Sequence, residues 1–319
     1  MNTAFNSSSI FVRHSIAALC LAGATLAPSA DAATRPVDER RAADPRGSVE
    51  IVNTSGRVTV TGWDRPEIAI TGTLDERIER LEFTSTGDRT VIRVGQRKDS
   101  GMRWQSGDAV LNVSVPRQSR LNASLTSADL VVRDLQGEQR LSTVSGDIDA
   151  EVGAEGSVRS ISGDLRLVTG SETRRLEINT VSGDTEVTGR AGGRIDARTV
   201  SGDSRFALGA VSDASFKTVS GDLSMTLGLE PGGRLAAESV SGDVHIDFTG
   251  ALPAARFELR SFNGGINLCP AVEQSASVVK EDRGEVNRRR EFRNGDGQGR
   301  VEVQTMSSDI RLCATRDGR

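Results

Sequence analysis

The sequence predicts an all-β chain: a β-solenoid (β-helix or β-roll) of stacked rungs of about 19 residues, preceded by a β-rich, sandwich- or roll-like N-terminal part. Three observations predict it. Between residues 145 and 243 the tripeptide Ser-Gly-Asp occurs six times, starting at Ser145, Ser162, Ser182, Ser201, Ser220 and Ser241, with spacings of 17, 20, 19, 19 and 21 residues. Each copy follows Val or Ile and enters a short run that alternates apolar and polar residues, the period of a half-buried strand. The composition agrees, with 34 Gly but only 9 Phe, 2 Trp and no Tyr, so the chain has few of the aromatic rings that dominate many globular cores.

Residues 1–32 read as a signal peptide. A weakly basic start (Arg13, His14) leads into the apolar run 15–27, too short to span a bilayer, and then to Ala30-Asp31-Ala32, which suits a signal peptidase. Cys20 lies inside the apolar run behind the bulky Leu19, which disfavours lipid attachment there. The mature chain is expected to begin near Ala33 and to be exported, periplasmic or associated with the cell surface. No transmembrane segment is expected in it. Residues 33–46 are charged, carry Pro36 and Pro45 and lack apolar periodicity, and they read as a disordered leader.

Residues 47–118 form the predicted N-terminal β-strand region. Val49-Glu50-Ile51, Val58-Thr59-Val60, Ile68-Ala69-Ile70 and the run 110–115 alternate as strands do, with Trp63-Asp64-Arg65-Pro66 as a turn and Pro116 closing the series. Residues 75–81 are long enough for one or two helical turns, and 96–108 read as an exposed loop rich in Gly, Ser and charge.

Residues 119–319 form the predicted Ser-Gly-Asp repeat solenoid. Ser127-Ala128-Asp129, Asn263-Gly264-Gly265 and Ser307-Ser308-Asp309 read as degenerate copies. Aligned on the motif serine, the positions three and five residues later are mostly apolar (Ile148 and Ala150, Leu165 and Leu167, Leu223 and Met225) and should point inward. Ahead of the motif, Leu176, Ile195, Ala214 and their equivalents form an inward column, as do the hydroxyls Thr143, Ser160, Thr180 and Thr199. Two outward columns carry charge. Four residues after the serine, Asp149, Arg166, Glu186 and Arg205 alternate in sign; three before it, Arg159, Arg198, Lys217 and Arg260 lean basic, broken by Asn179 and Glu238.

Cys269 and Cys313 each lie six residues after the first residue of a degenerate copy. Equivalent positions in adjacent rungs are one strand spacing apart, within disulfide range, whereas an intervening rung would separate them too far. A Cys269–Cys313 bridge is therefore expected, with residues 270–301 as an excursion between two contacting terminal rungs and the bridge stapling the open end.

The repeats resemble those of the bacterial β-strand-repeat proteins called putative adhesins, a domain-of-unknown-function family with Val-Ser-Gly-Asp repeats. The stretches 47–53 (Gly-Ser-Val-Glu-Ile-Val-Asn) and 60–64 (Val-Thr-Gly-Trp-Asp) are similar to that family's opening. The resemblance covers most of residues 47–319 and implies an exported, non-enzymatic β-solenoid associated with the cell envelope. It brings no catalytic residues.

The residues themselves point to no catalytic, cofactor-binding or metal site. The corner aspartates Asp147, Asp164, Asp184, Asp203, Asp222 and Asp243 invite a calcium reading, but one carboxylate per rung is sparse for an ion that takes six to eight oxygens; hydrogen bonding to the corner backbone is the favoured role. His245 sits in a column shared with Arg205 and Ser224 and reads as a surface residue. Trp63 reads as a cap on the N-terminal sheet. Trp104 and the run Arg288-Arg289-Arg290 are the candidate surface contacts. A formal net charge of −4 with both signs interspersed argues against nucleic acid. The expected role is an envelope-associated binding or scaffold protein displaying charged columns to an envelope polysaccharide or a surface protein. The rivals are a glycan-active β-helix enzyme, which would need a positioned carboxylate pair, and a component of envelope-stress sensing.

Overall fold

The computed structural model describes residues 34–96 and 107–314, apart from residues 191, 283 and 285 and the side chains of 278 and 279. The expected signal peptide, Cys20 and Trp104 lie outside the described residues. Period-two alternation builds strands along almost all of the rest. The chain enters through β1 (Thr34–Ala42), β2 (Ser48–Trp63), β3 (Glu67–Asp75), β4 (Ile78–Thr86), β5 (Arg89–Gln96), β6 (Ala109–Pro116) and β7 (Arg120–Arg133).

β2 is already a full rung. Both of its halves run parallel to β7, with Ser55 and Gly56 opposite Ser127 and Ala128, so Ser55-Gly56-Arg57 is a corner of the repeat. The N-terminal part is therefore not a separate sandwich or roll, because one hydrophobic core runs from Val49 to Leu312. The remaining early strands close the end. β5 and β6 extend the two halves of β2 in parallel, and β4 and β3 then lie antiparallel on β5 and β6. Of residues 75–81, expected to turn helically, only Glu76 and Arg77 form a tight turn, fixed by Arg77 bonding back to Asp75, and residues 78–81 already belong to β4.

The expected disordered leader is also corrected. β1 pairs antiparallel along the whole of β3, from Thr34 opposite Asp75 to Ala42 opposite Glu67. An edge strand needs only its backbone groups to join a ladder, so it can be charged throughout and even hold Pro36. Its side chains are accordingly mostly exposed, and the Arg41 guanidinium lies 5.1 Å from the Phe83 ring centroid.

Each later rung is two strands meeting at a Ser-Gly-Asp corner. β8 (Gln139–Ser145) leads into β9 (Ile148–Val152), β10 (Glu155–Ser162) into β11 (Leu165–Thr169), and β12 (Arg175–Ser182) into β13 (Thr185–Gly189). β14 (Arg194–Ser201) enters the next corner; β15 (Ser204–Ser220) and β16 (Leu223–Ser241) each run from one corner to the next; β17 (Val244–Phe248) follows. Strands entering the corners stack in parallel as one sheet, and strands leaving them stack as a second. The observed register is that of the sequence alignment: Ser160, Thr180 and Thr199 are neighbours, as are Arg166, Glu186 and Arg205. The predicted inward columns fill the space between the sheets, where Leu167, Met225 and Phe216 are all buried.

The C-terminal end departs from chain order. After β18 (Ala255–Ser261) and β19 (Ile266–Leu268) come helix α1 (Pro270–Ser275), β20 (Ser277–Asp282) and β21 (Arg288–Arg293), then β22 (Gly299–Thr305) and β23 (Ile310–Ala314). β22 lies between β16 and β18, and β23 between β17 and β19. The rung of Ser307 is thus inserted between those of Ser241 and Asn263. The two rungs bearing cysteines are in contact, and Cys269 is bridged to Cys313 with Cα atoms 4.9 Å apart. Within the 270–301 excursion, β21 lies antiparallel on β18 and β20 on β21, which closes the end of the sheet, and the chain rejoins the rungs at Gly299.

The corners require glycine. Gly202 has φ +113°, and a Cβ there would lie 2.3 Å from the Gly183 carbonyl oxygen of the neighbouring rung. Gly232, at φ +76°, has open space around it. Gly202→Ala is expected to lower unfolding stability by about 2–4 kcal/mol, well beyond the effect of Gly232→Ala, as read by chemical denaturation. Equal losses would contradict the close-approach argument.

At the N-terminal turn, the Arg77 side chain donates to both oxygens of Asp75, each at 2.8 Å, and its backbone N–H adds a third bond at 2.9 Å. These bonds, the side-chain pair first, lower the Asp75 pKa from an ordinary 3.8 to about 2. A carboxylate held low in the folded state stabilises it above the unfolded pKa and loses that contribution as pH falls through the folded value. Asp75→Asn should therefore flatten the decline in stability between pH 4 and pH 2 seen in acid titrations of the wild type. An unchanged acid limb would remove Asp75 from the account.

Candidate binding face

The corner is built from three residues with separate tasks. The glycine lets adjacent backbones approach. The aspartate occupies the backbone of its neighbour: Asp147 Oδ1 accepts the N–H of Asp164 at 2.9 Å, Asp164 that of Asp184 at 2.9 Å, and Asp184 that of Asp203 at 2.9 Å. The series continues through Asp222, Asp243 and Asp309 and ends on the N–H of Gly265. It begins at Asp129, which serves Asp147 and pairs with Arg57 at 3.1 Å. The buried hydroxyl two residues before the motif serine turns to the same corner, as where Ser239 donates to the Gly242 carbonyl at 2.9 Å. The corner aspartates are thus backbone acceptors, the role favoured by the sequence. Their free oxygens line an open groove of about 780 Å³.

The residue just before each motif serine is a different matter. Strand alternation turns it outward, one position from the inward hydroxyl, yet it is aliphatic in rung after rung. Val144, Ile161, Val181, Val200, Val219, Val240, Met306 and Phe262 follow one another in space, each between 44 and 53 % exposed. At ~4.8 Å per strand they form a straight apolar line over eight rungs. Two residues further back on the same strand face, Arg159, Asn179, Arg198 and Lys217 run alongside, and with the stripe they line a shallow groove of about 810 Å³. Lys217 is held by Glu238 at 2.8 Å; Arg159 and Arg198 make no ion pair among the described residues. The result is an aliphatic edge with cations beside it.

The other residues singled out by sequence take structural places. Arg288 donates to the Gly264 carbonyl at 2.7 Å, Arg289 reaches Glu258 at 2.9 Å, and Arg290 holds Glu281 and Glu273. These arginines fasten the closing strands to the last rung instead of reaching outward, because the antiparallel hairpin turns them onto acids of β18 and of the excursion itself. Trp63 Nε1 donates to the Glu67 carbonyl at 2.8 Å, with Arg65 stacked 5.0 Å from the ring, as a sheet cap would be. His245 bonds Asp247 at 2.9 Å. Cys313 lies close to that pair, but its sulfur is bonded to Cys269 and offers no thiolate to a metal. Of the alternating column, Arg166 reaches Glu186 at 3.5 Å, while Asp149 pairs with Arg133 from the preceding rung.

Backbone capping and calcium binding by the corner aspartates separate by substitution. Asp184→Asn keeps an oxygen acceptor and should retain most of the stability, whereas Asp184→Ala leaves the Asp203 N–H without its partner and should lose roughly 1–2 kcal/mol. Melting of all three proteins should be unchanged by calcium or by a chelator. A calcium-dependent shift lost equally in both variants would replace the capping role.

No curated protein matches this sequence. The solved structures that align with this chain share little sequence with it. A putative lipid binding protein from Parabacteroides distasonis aligns over 88% of this chain and 97% of its own at 11% identity, with a TM-score of 0.43. A putative adhesin from Parabacteroides merdae aligns over 88% and 97% at 11% identity with a TM-score of 0.32. Another from Bacteroides fragilis aligns over the same shares at 8% identity with a TM-score of 0.34. The model of the family described as Toastrack DUF4097 matches residues 47–313, a span that takes in the first corner at Ser55, every later rung and the Cys269–Cys313 clasp. The chain belongs to the Toastrack DUF4097 family.

Proposed function

We propose that this chain is an exported, non-enzymatic scaffold of the cell envelope that binds a partner protein along its aliphatic stripe. The observation that carries the reading is the stripe itself: side chains that strand parity sends to solvent are apolar over eight consecutive rungs, aliphatic from Val144 to Val240 and closing on Met306 and Phe262. Contiguous apolar surface on a folded protein marks an interaction site. The stripe is open and one residue wide, so it cannot enclose a small molecule or an acyl chain as binding pockets do. Its one aromatic ring, Phe262, stands at the end of a run that is otherwise aliphatic or thioether, so sugar rings have no extended stacking platform and a protein surface is favoured over an envelope polysaccharide. The flanking Arg159 and Arg198 call for acidic residues along the partner's ridge. Export is supported by the apolar run 15–27 with its Ala30-Asp31-Ala32 end, and by a cysteine pair bridged as in oxidising compartments. The non-enzymatic reading is supported by the corner aspartates, which serve the backbone, and by Asp75, whose pKa is moved down, opposite to what a general acid needs.

A photo-crosslinking residue placed at Val181, Val200 or Val219 in cells should give one discrete adduct shared by all three positions. Val168, exposed to a similar degree on the other sheet, should give none. Adding Arg159→Glu and Arg198→Glu should abolish the adduct. Adducts that are absent, or equal at Val168, would sink the proposed face, and oligosaccharide released from purified envelope glycan by the mature protein would sink the non-enzymatic reading.

A further inference from the structure

A second outward column, seven residues before the corner, behaves differently along its length. On earlier rungs acids are interspersed in it: Glu155 faces Arg175, and Arg194, although opposite Arg175, pairs with Asp196 at 2.8 Å on its own strand and with Asp213 at 3.5 Å on the next. Beyond Asp213, which faces Arg234, the column holds arginines alone. Arg234 stands opposite Arg300, Arg300 opposite Arg256, and Arg256 opposite Arg293, on four successive strands. Like charges directly opposite one another destabilise a sheet. Arg300 turns to Glu302 on its own strand, whereas Arg234, Arg256 and Arg293 make no ion pair among the described residues.

The insertion of the rung of Ser307 next to that of Ser241 adds a fourth member, Arg300, to this run, between Arg234 and Arg256. The loop after β21 then folds over it. Gly295 and Gly297, with φ +60° and +68°, turn the chain back so that Gly297 packs on the Arg293 side chain, and Gln298 N–H bonds Asp296. Between loop and column lies a depression of about 360 Å³ with four guanidiniums and one carboxylate, Asp296, on its walls.

We infer that this column is a binding site for a ligand carrying two or more phosphate groups. Guanidinium forks pair bidentately with phosphate oxygens, and stacked strands set them at ~4.8 Å, so a ligand with several phosphates can engage more than one of them at once. An anion lying along the column answers the repulsion that the fold leaves standing. The site is about 20 Å along the strand from the aliphatic stripe, so it does not depend on the partner proposed there.

The test uses the mature chain with its disulfide intact and two probes: inorganic tripolyphosphate by calorimetry, and sedimentation with vesicles containing an anionic phospholipid, both at about 0.15 M salt. Arg234→Gln/Arg256→Gln should weaken binding by about tenfold or more, whereas Arg159→Gln/Arg198→Gln, with the same loss of charge on the same sheet, should change it less than about twofold. Without ligand the first double variant should melt higher than wild type, since it relieves like-charge contacts; a purely structural role predicts the opposite. Tripolyphosphate binding alone assigns the phosphate to a soluble ligand, and vesicle binding with the same arginine dependence assigns it to a headgroup. Failure to bind either probe, or binding weakened equally by both double variants, overturns the site.

Discussion

Everything in this molecule follows from how closely two rungs can pass at a corner. The Gly183 carbonyl oxygen lies only 2.3 Å from where a Cβ on Gly202 would be, and similar approaches recur along the series. That approach leaves the next backbone N–H pointing across the gap, and the aspartate carboxylate is the group that meets it. The pair fixes the register of adjacent rungs to a single residue. Because side chains alternate strictly, a fixed register fixes which columns are buried and which are displayed. Each corner bond is modest, at about 0.5–1.5 kcal/mol net, but it recurs from Asp129 to Gly265 between each pair of neighbours. In a stack of this kind, stability accumulates as a sum of such nearest-neighbour terms.

A parallel stack has two raw ends, and each would recruit further strands if left bare. Both are closed by antiparallel strands. At the start β3 and β4 do so, with the charged β1 outermost; at the finish the hairpin of β20 and β21 does so, held by Arg289 and Arg290 on acids around it. The arginine run that looks like a surface lure in the sequence is the fastening of a lid. Interaction capacity lies instead on the flanks, where the columns are displayed.

The solenoid, its inward columns and the contact between the cysteine-bearing rungs were legible because a tripeptide at near-constant spacing announces the register by itself. Three features were not. β1 joins by its backbone alone, so its side chains carry no signal of a strand. Ser55-Gly56-Arg57 lacks the aspartate; Arg57 pairs with Asp129 instead, and the corner is visible only from its register on β7. Ser106-Gly107-Asp108 shows the converse: it has the tripeptide, but Leu111 and not Ala109 faces Val58, so it stands two residues out of step with the ladder. The aliphatic stripe was within reach, since the Val before each motif serine has parity opposite to the buried Thr or Ser beside it. The arginine column was not, because Arg300 becomes a neighbour of Arg234 only through the insertion of β22.

That insertion makes synthesis order and spatial order disagree. Most rungs can dock as they emerge, each laid on the one before. The segment holding Phe257 and Leu259 cannot, because its proper seat is separated from β16 by a strand made some forty residues later. Until β22 and β23 arrive, the growing stack has a slot and its final layer has nothing to rest on. Closure is therefore an all-or-none event reserved for chains synthesised through β23, and the Cys269–Cys313 bond records that it has happened. A fragment ending within the excursion would present an unfilled seam and an unpaired thiol, two marks by which proteases could tell it from the finished protein.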